Sequence, residues 1–151
     1  MPLPNIRQSI TVYARWLNPE SGLIKPVRCV LHNAVWMEQG ATITRQTGNV
    51  VQESTFIQVF YNLEGRQYIA PHLWKKLTES ELDRYWTANL RELSFAVPWA
   101  SEYEFPYMDE REVAPGENNW IQDNPGAIRI SAAEDNIRGT DRAKHILLRG
   151  G

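Results

Sequence analysis

Ser9-Ile10-Thr11-Val12-Tyr13-Ala14-Arg15-Trp16 spaces Ile10, Val12, Ala14 and Trp16 two residues apart. In an extended chain those four share one face, so the run reads as a half-buried strand. Asn18-Pro19-Glu20-Ser21-Gly22 follows, joining turn formers to a residue that tolerates positive φ. A second extended run over residues 23–31 then completes a hairpin. Pro26 lies inside that run and removes a ladder donor, so the strand is expected to start after it or to lie on an edge. Residues 34–38 and 41–45 make two short extended pieces around Gly40, and 46–49 read as a loop.

The strongest single strand covers 53–63. Thr55, Ile57, Val59 and Tyr61 oppose Phe56, Gln58 and Phe60, so both faces carry large apolar side chains and the strand is central or spans a barrel wall. Glu64-Gly65 turns the chain into 66–70, the expected second hairpin. A short helix is predicted over about 79–87 from the capping box Thr78-Glu79-Ser80-Glu81, with Leu82, Tyr85 and Trp86 packing on the sheet. Residues 127–130 and 145–148 look like strands, the last one closing the sheet. The fold class expected is mainly β: a small antiparallel β-barrel or sandwich with one short helix and long loops. It forms one domain over 1–151, with a β-rich body at 8–77, the helix at 79–87, a long loop region at about 98–126 and C-terminal strands at about 127–149.

That loop region has its own character. Between 101 and 123 stand Glu102, Glu104, Asp109, Glu110, Glu112, Glu117 and Asp123 against the single base Arg111, with Pro106 and Pro115 and the aromatics Tyr103, Phe105, Tyr107 and Trp120. A disordered linker would lack those rings, so the segment reads as a loop that docks, either on a partner or on its own domain.

The search for chemistry is mostly negative. His32, His72 and His145 are scattered without a ligand-spaced partner, and the one cysteine, Cys29, sits in an alternating run where a thiol acts as a small buried hydrophobe. Glycine-rich phosphate loops and a nucleophile elbow are missing, and adjacent acids such as Asp109-Glu110 or Glu134-Asp135 are weak evidence for a catalytic pair. No enzyme, cofactor or metal is expected. With 16 Lys and Arg against 18 Asp and Glu, bulk charge gives no reason to hold a polyanion. An oligonucleotide-binding small β-barrel module is the alternative, with Trp36, Tyr61 and Tyr68 as stacking candidates, but its basic track is wanting. The start lacks a basic region followed by an apolar stretch, and no run approaches the roughly twenty apolar residues of a membrane span, so a protein made and assembled in the cytoplasm is expected.

The layout resembles small head-to-tail connectors (head-closure or stopper-like) and minor tail proteins of tailed bacteriophages, especially of Gram-positive hosts. The elements that carry the resemblance are Ile10-Thr11-Val12-Tyr13, the turn Asn18-Pro19-Glu20-Ser21-Gly22, Val35-Trp36 with Gly40, and Val59-Phe60-Tyr61. To these are added Tyr68-Ile69-Ala70-Pro71-His72-Leu73-Trp74 and the terminal His145-Ile146-Leu147-Leu148-Arg149-Gly150. It spans roughly 9–77 and the last strand, while 88–140 departs from that layout. It implies a virion protein of the neck: a homo-oligomeric ring that closes the head, meets the portal or an adaptor above and tail proteins below, and surrounds a lumen through which DNA could pass. Tyr103, Phe105, Tyr107 and Trp120, with Asp109, Glu110, Arg111 and Glu112, are then the assembly-interface candidates, since aromatics inside a polar rim are hot-spot material.

Overall fold

The computed structural model describes residues 7–45, 48–61, 64–88, 94–136 and 145–151. Its centre is a closed antiparallel barrel of six strands in the spatial order β1-β2-β3-β8-β7-β6. They are β1 (Gln8–Leu17), β2 (Ile24–Arg45), β3 (Gly48–Phe60), β6 (Phe95–Val97), β7 (Ile128–Asn136) and β8 (His145–Gly150). Each wall strand is paired on both sides over at least part of its length. Of the two architectures expected, it is the barrel that forms.

β1 behaves as its alternation requires. Ile10, Val12, Ala14 and Trp16 point inward and join Cys29, Leu31, Ile57, Val59, Ile130, Ile146 and Leu148 in one core. The turn closes with Gly22 at a φ of 74°, a left-handed conformation that favours glycine, and its amide bonds to the Asn18 carbonyl. Pro26 does lie within β2, opposite Arg15 of β1 and just past the Ile24–Met108 bridge, and among the described residues no strand pairs with it on its other side, so the missing donor costs no second ladder. Cys29 is fully buried, and desolvation pushes its thiol up to about 11.

Several expectations need correction. The pieces at 34–38 and 41–45 are one continuous β2, running through Gly40 opposite Glu53. Of the loop expected at 46–49, Gly48 and Asn49 open β3, while 46 and 47 lie outside the described residues. Residues 66–70 do not hairpin back on β3: β4 (Gln67–Tyr68) pairs in parallel with β5 (Tyr85–Trp86). Between these two strands lie the one-turn α1 (Pro71–Trp74) and a 3₁₀ turn, Glu79–Arg84, in place of the helix expected at 79–87. The expected capping box is present there, and the Glu81 carboxylate accepts from the Thr78 amide and hydroxyl, which hold its pKa down. Leu82 and Trp86 still reach the barrel core as their spacing suggested, together with Trp74.

The last correction is the largest. Residues 98–109 are irregular, but Glu110–Asp123 is a fourteen-residue helix, α2. Asp109 caps it by accepting from the amides of Arg111 and Glu112.

Barrel closure depends on one close approach. The β7–β8 register shifts between Ile130 and Ala132, and a Cβ added at Gly150 would lie 2.2 Å from the Arg129 carbonyl oxygen and 2.9 Å from Ile128 Cδ1. Gly150→Ala is expected to cost about 2 kcal/mol by forcing β8 off β7. A thermal unfolding midpoint equal to that of the unmodified chain would refute this.

Candidate assembly interface

The inward row of β1 builds the core, and its outward row builds the site. Thr11, Tyr13 and Arg15 alternate with the core residues and should face solvent, yet Thr11 and Tyr13 are wholly buried. The covering layer is the acidic segment itself. Thr11 Oγ1 donates to the Trp99 carbonyl and accepts from the Ser101 amide, both at 2.8 Å. The Tyr13 hydroxyl bonds to Ser101 Oγ at 2.6 Å and to the Tyr103 carbonyl at 2.8 Å. Arg15 grips the Glu117 carboxylate through Nε and Nη2. Three successive outward side chains of one strand thus hold residues 99–117 against the wall.

Around these rungs the rings pack. Tyr13 stacks on Phe95 with centroids 4.9 Å apart, and Phe105 and Trp120 meet Tyr13 edge-on at 5.2 Å. Phe105 is buried and Trp120 half-buried in this cluster. Tyr103 joins the same cluster, its ring 4.8 Å from Phe105 and 6.0 Å from Trp120, and Tyr107 packs against the barrel core, so all four aromatic candidates take part in the chain's own packing. Tyr107 is half-buried: it donates to Glu79 at 2.6 Å and lies under Lys25, and burial, then the Glu79 carboxylate, push its phenol up to about 12. Tyr103 remains 47% exposed.

The charged candidates gather at one end of α2. Asp109, Glu110, Arg111 and Glu112 are all exposed in its cap and first turn, where negative charge suits the helix dipole. A hydrogen bond between the Asp109 and Glu112 carboxyls, followed by the two capping amides, holds Asp109 below its ordinary range and raises Glu112. Exposed Glu102 and Glu104 flank Tyr103, whose ring lies against Trp120 in the last turn of α2, and Glu104 pairs with Arg28 at 3.3 Å. The result is an exposed acidic segment with one half-exposed ring, clamped to the barrel.

Sequence reading missed Glu117, the charge at the centre of the clamp. It is 1% exposed and also bonds Arg129 at 3.3 Å, whose other guanidinium nitrogen reaches Asn118. The available signal was the outward row Thr11, Tyr13 and Arg15, whose polar groups invite a polar cover.

A separate pocket of about 160 Å³ lies among Tyr61, Arg66, Tyr68, Trp86, Asp135 and His145. Two of the stacking candidates, Tyr61 and Tyr68, line it, whereas Trp36 stands on β2 bonded to Glu38. Burial and then the charge of Asp135 push the Tyr68 phenol up. The one guanidinium lining it, Arg66, donates to the carbonyls of Leu82, Tyr85 and Arg28, so it is committed to the fold. Among the described residues no group of three or more His, Cys, Asp and Glu could hold a metal ion, and no helix is long and apolar enough to cross a membrane.

Fold and surface together define a small closed β-barrel with a clamped acidic segment. Comparison of the chain with protein-family models, with curated proteins and with solved structures finds no match.

Proposed function

We propose that this chain is a structural subunit of the neck of a tailed phage, forming a homo-oligomeric ring that closes the head and joins it to the tail. The observation that supports this best is the clamped acidic segment. Three rungs from β1 fix residues 99–117 in place, yet Tyr103, Glu110, Arg111 and Glu112 are left facing outward. A preorganised charged segment with an aromatic anchor suits heterologous ring contacts, which need two unlike patches on each subunit.

The test is size exclusion with light scattering on the purified chain, alone and then mixed with phage heads or tails from a mutant lacking it. The reading expects stable incorporation and restored infectivity. Glu110→Lys/Glu112→Lys is expected to slow incorporation about tenfold at low salt and less at high salt, since exposed charges act mainly on association and are screened. A chain that binds neither part but retains single-stranded nucleic acid would replace this reading with the binding-module one.

A further inference from the structure

β2 and β3 run further than the barrel needs. β1 pairs with β2 only as far as Ala34, and β8 pairs with β3 only from Thr55 onward. Residues 39–45 and 48–54 pair with each other and, among the described residues, with no other strand. The barrel thus carries a two-stranded arm, each strand roughly 23 Å long at the usual rise per residue.

Such an arm raises a physical difficulty. A lone two-stranded hairpin is marginal in water. Among the described residues no strand pairs with either outer edge, so both can offer backbone N–H and C=O groups to a strand that arrives, and exposed edges are commonly blunted with lysine, proline or a bulge. From Gln39 to Ser54 there is no lysine and no proline, the only charges are Arg45 and Glu53, and Thr42, Ile43, Val50 and Val51 favour extended backbone. The register runs without a shift from Gln39↔Ser54 to Arg45↔Gly48. This edge is built to be paired.

We propose that the arm pairs with the arm of a second copy of the chain, the β2 edge of one subunit joining the β3 edge of the next. Two observations select a second copy as the occupant. The β2 edge is free over 35–45 and the β3 edge over 48–54, and the two run antiparallel to each other, so arms set side by side in one orientation bring β3 of one antiparallel to β2 of its neighbour. That contact is heterologous and leaves the same two edges free at either end, so it repeats until a ring closes. With two charges of opposite sign in sixteen residues, like arms also meet without like-charge repulsion. The inference rests on the ring reading above and assigns its inter-subunit backbone contact.

The test uses the full chain, free and assembled on heads that lack it, with hydrogen exchange followed on peptides covering 39–54. Outward amides, every second one in each strand, are expected to slow about tenfold or more on assembly. In parallel, Thr42→Cys chains are mixed with separately prepared Asn49→Cys, Val51→Cys or Glu53→Cys chains and oxidised. At least one mixture is expected to cross-link beyond either variant alone, because the same position on adjacent arms lies two strand spacings apart, too far for a disulfide. A ring that forms with neither protection nor cross-link overturns this inference and leaves the ring reading standing. Protection without any cross-link assigns the arm to another neck protein and likewise overturns it. A chain that never assembles overturns both.

Discussion

Glu117→Ala is expected to destabilise the chain by about 3–5 kcal/mol, because the carboxylate it removes is buried between two guanidiniums. Arg15, 15% exposed, would lose its ionic partner, and Arg129 would lose one acceptor while keeping Asn118. Against a typical total of about 5–15 kcal/mol for a single domain, that is a large share. The loss should also be local in character. α2 lies on β1 through this pair and the ring cluster, so its detachment uncovers Tyr13, Phe95 and Phe105 and changes the surroundings of Trp120. Urea unfolding at pH 7, followed by tryptophan fluorescence and by far-ultraviolet circular dichroism, measures both effects. Replacing the pair with apolar residues of similar volume, Arg15→Met/Glu117→Leu, is expected to recover most of the loss, since desolvation of the charges disappears with them. A single Glu117→Ala variant within about 0.5 kcal/mol of the unmodified chain would sink the account.

The same residue explains why α2 was illegible in the sequence. Its barrel-facing positions are Val113, Glu117, Trp120 and Ile121, a helical spacing of four, three and one. A glutamate in the middle of that stripe breaks the apolar period on which a helix is recognised, and Pro115-Gly116 beside it reads as a chain breaker. Only tertiary context makes Glu117 an inward residue, through Arg15 on a strand a hundred residues earlier. The Asp109 cap was a local signal for the helix start, but it lay inside an acidic run where any cap is hidden.

The barrel was easier because its strands follow period two with little interruption. Ile10 to Trp16 and Thr55 to Val59 bury the faces that their alternation marks. What failed was pairing. Arg66 looked like the start of a hairpin because Glu64-Gly65 is a good turn, yet its guanidinium binds the Leu82 and Tyr85 carbonyls across the 3₁₀ turn, and β4 meets β5 instead. A long-range bond from one side chain outweighed a local turn signal. For the candidate interface the sequence located the segment and its aromatic content, but how far each ring is buried depends on β1.

Trp74→Ala should cost as much as the loss of Glu117, about 3–5 kcal/mol, because it empties one of the largest buried side chains from the core. α1 has a single turn and would not be stable alone. What holds it is Trp74, whose indole nitrogen donates to the Arg15 carbonyl at 2.9 Å. The register explains the need for that donor: Ile24 exchanges its backbone bonds with Met108, so Leu17 and, two residues before it, Arg15 stand at non-bonded positions opposite β2, and the Arg15 carbonyl takes the indole N–H instead. Trp74→Phe keeps most of the apolar contact and loses this bond, so it should cost about 1–2 kcal/mol. Arg15 therefore secures two covers of the barrel, α1 through its backbone carbonyl and α2 through its guanidinium. If strand β1 is rigid enough to separate the two roles, the losses from Trp74→Ala and Glu117→Ala add to within about 0.5 kcal/mol in a double-mutant cycle. If releasing one cover lets β1 shift, the double variant loses less than the sum, and the acidic segment and the core form one cooperative unit.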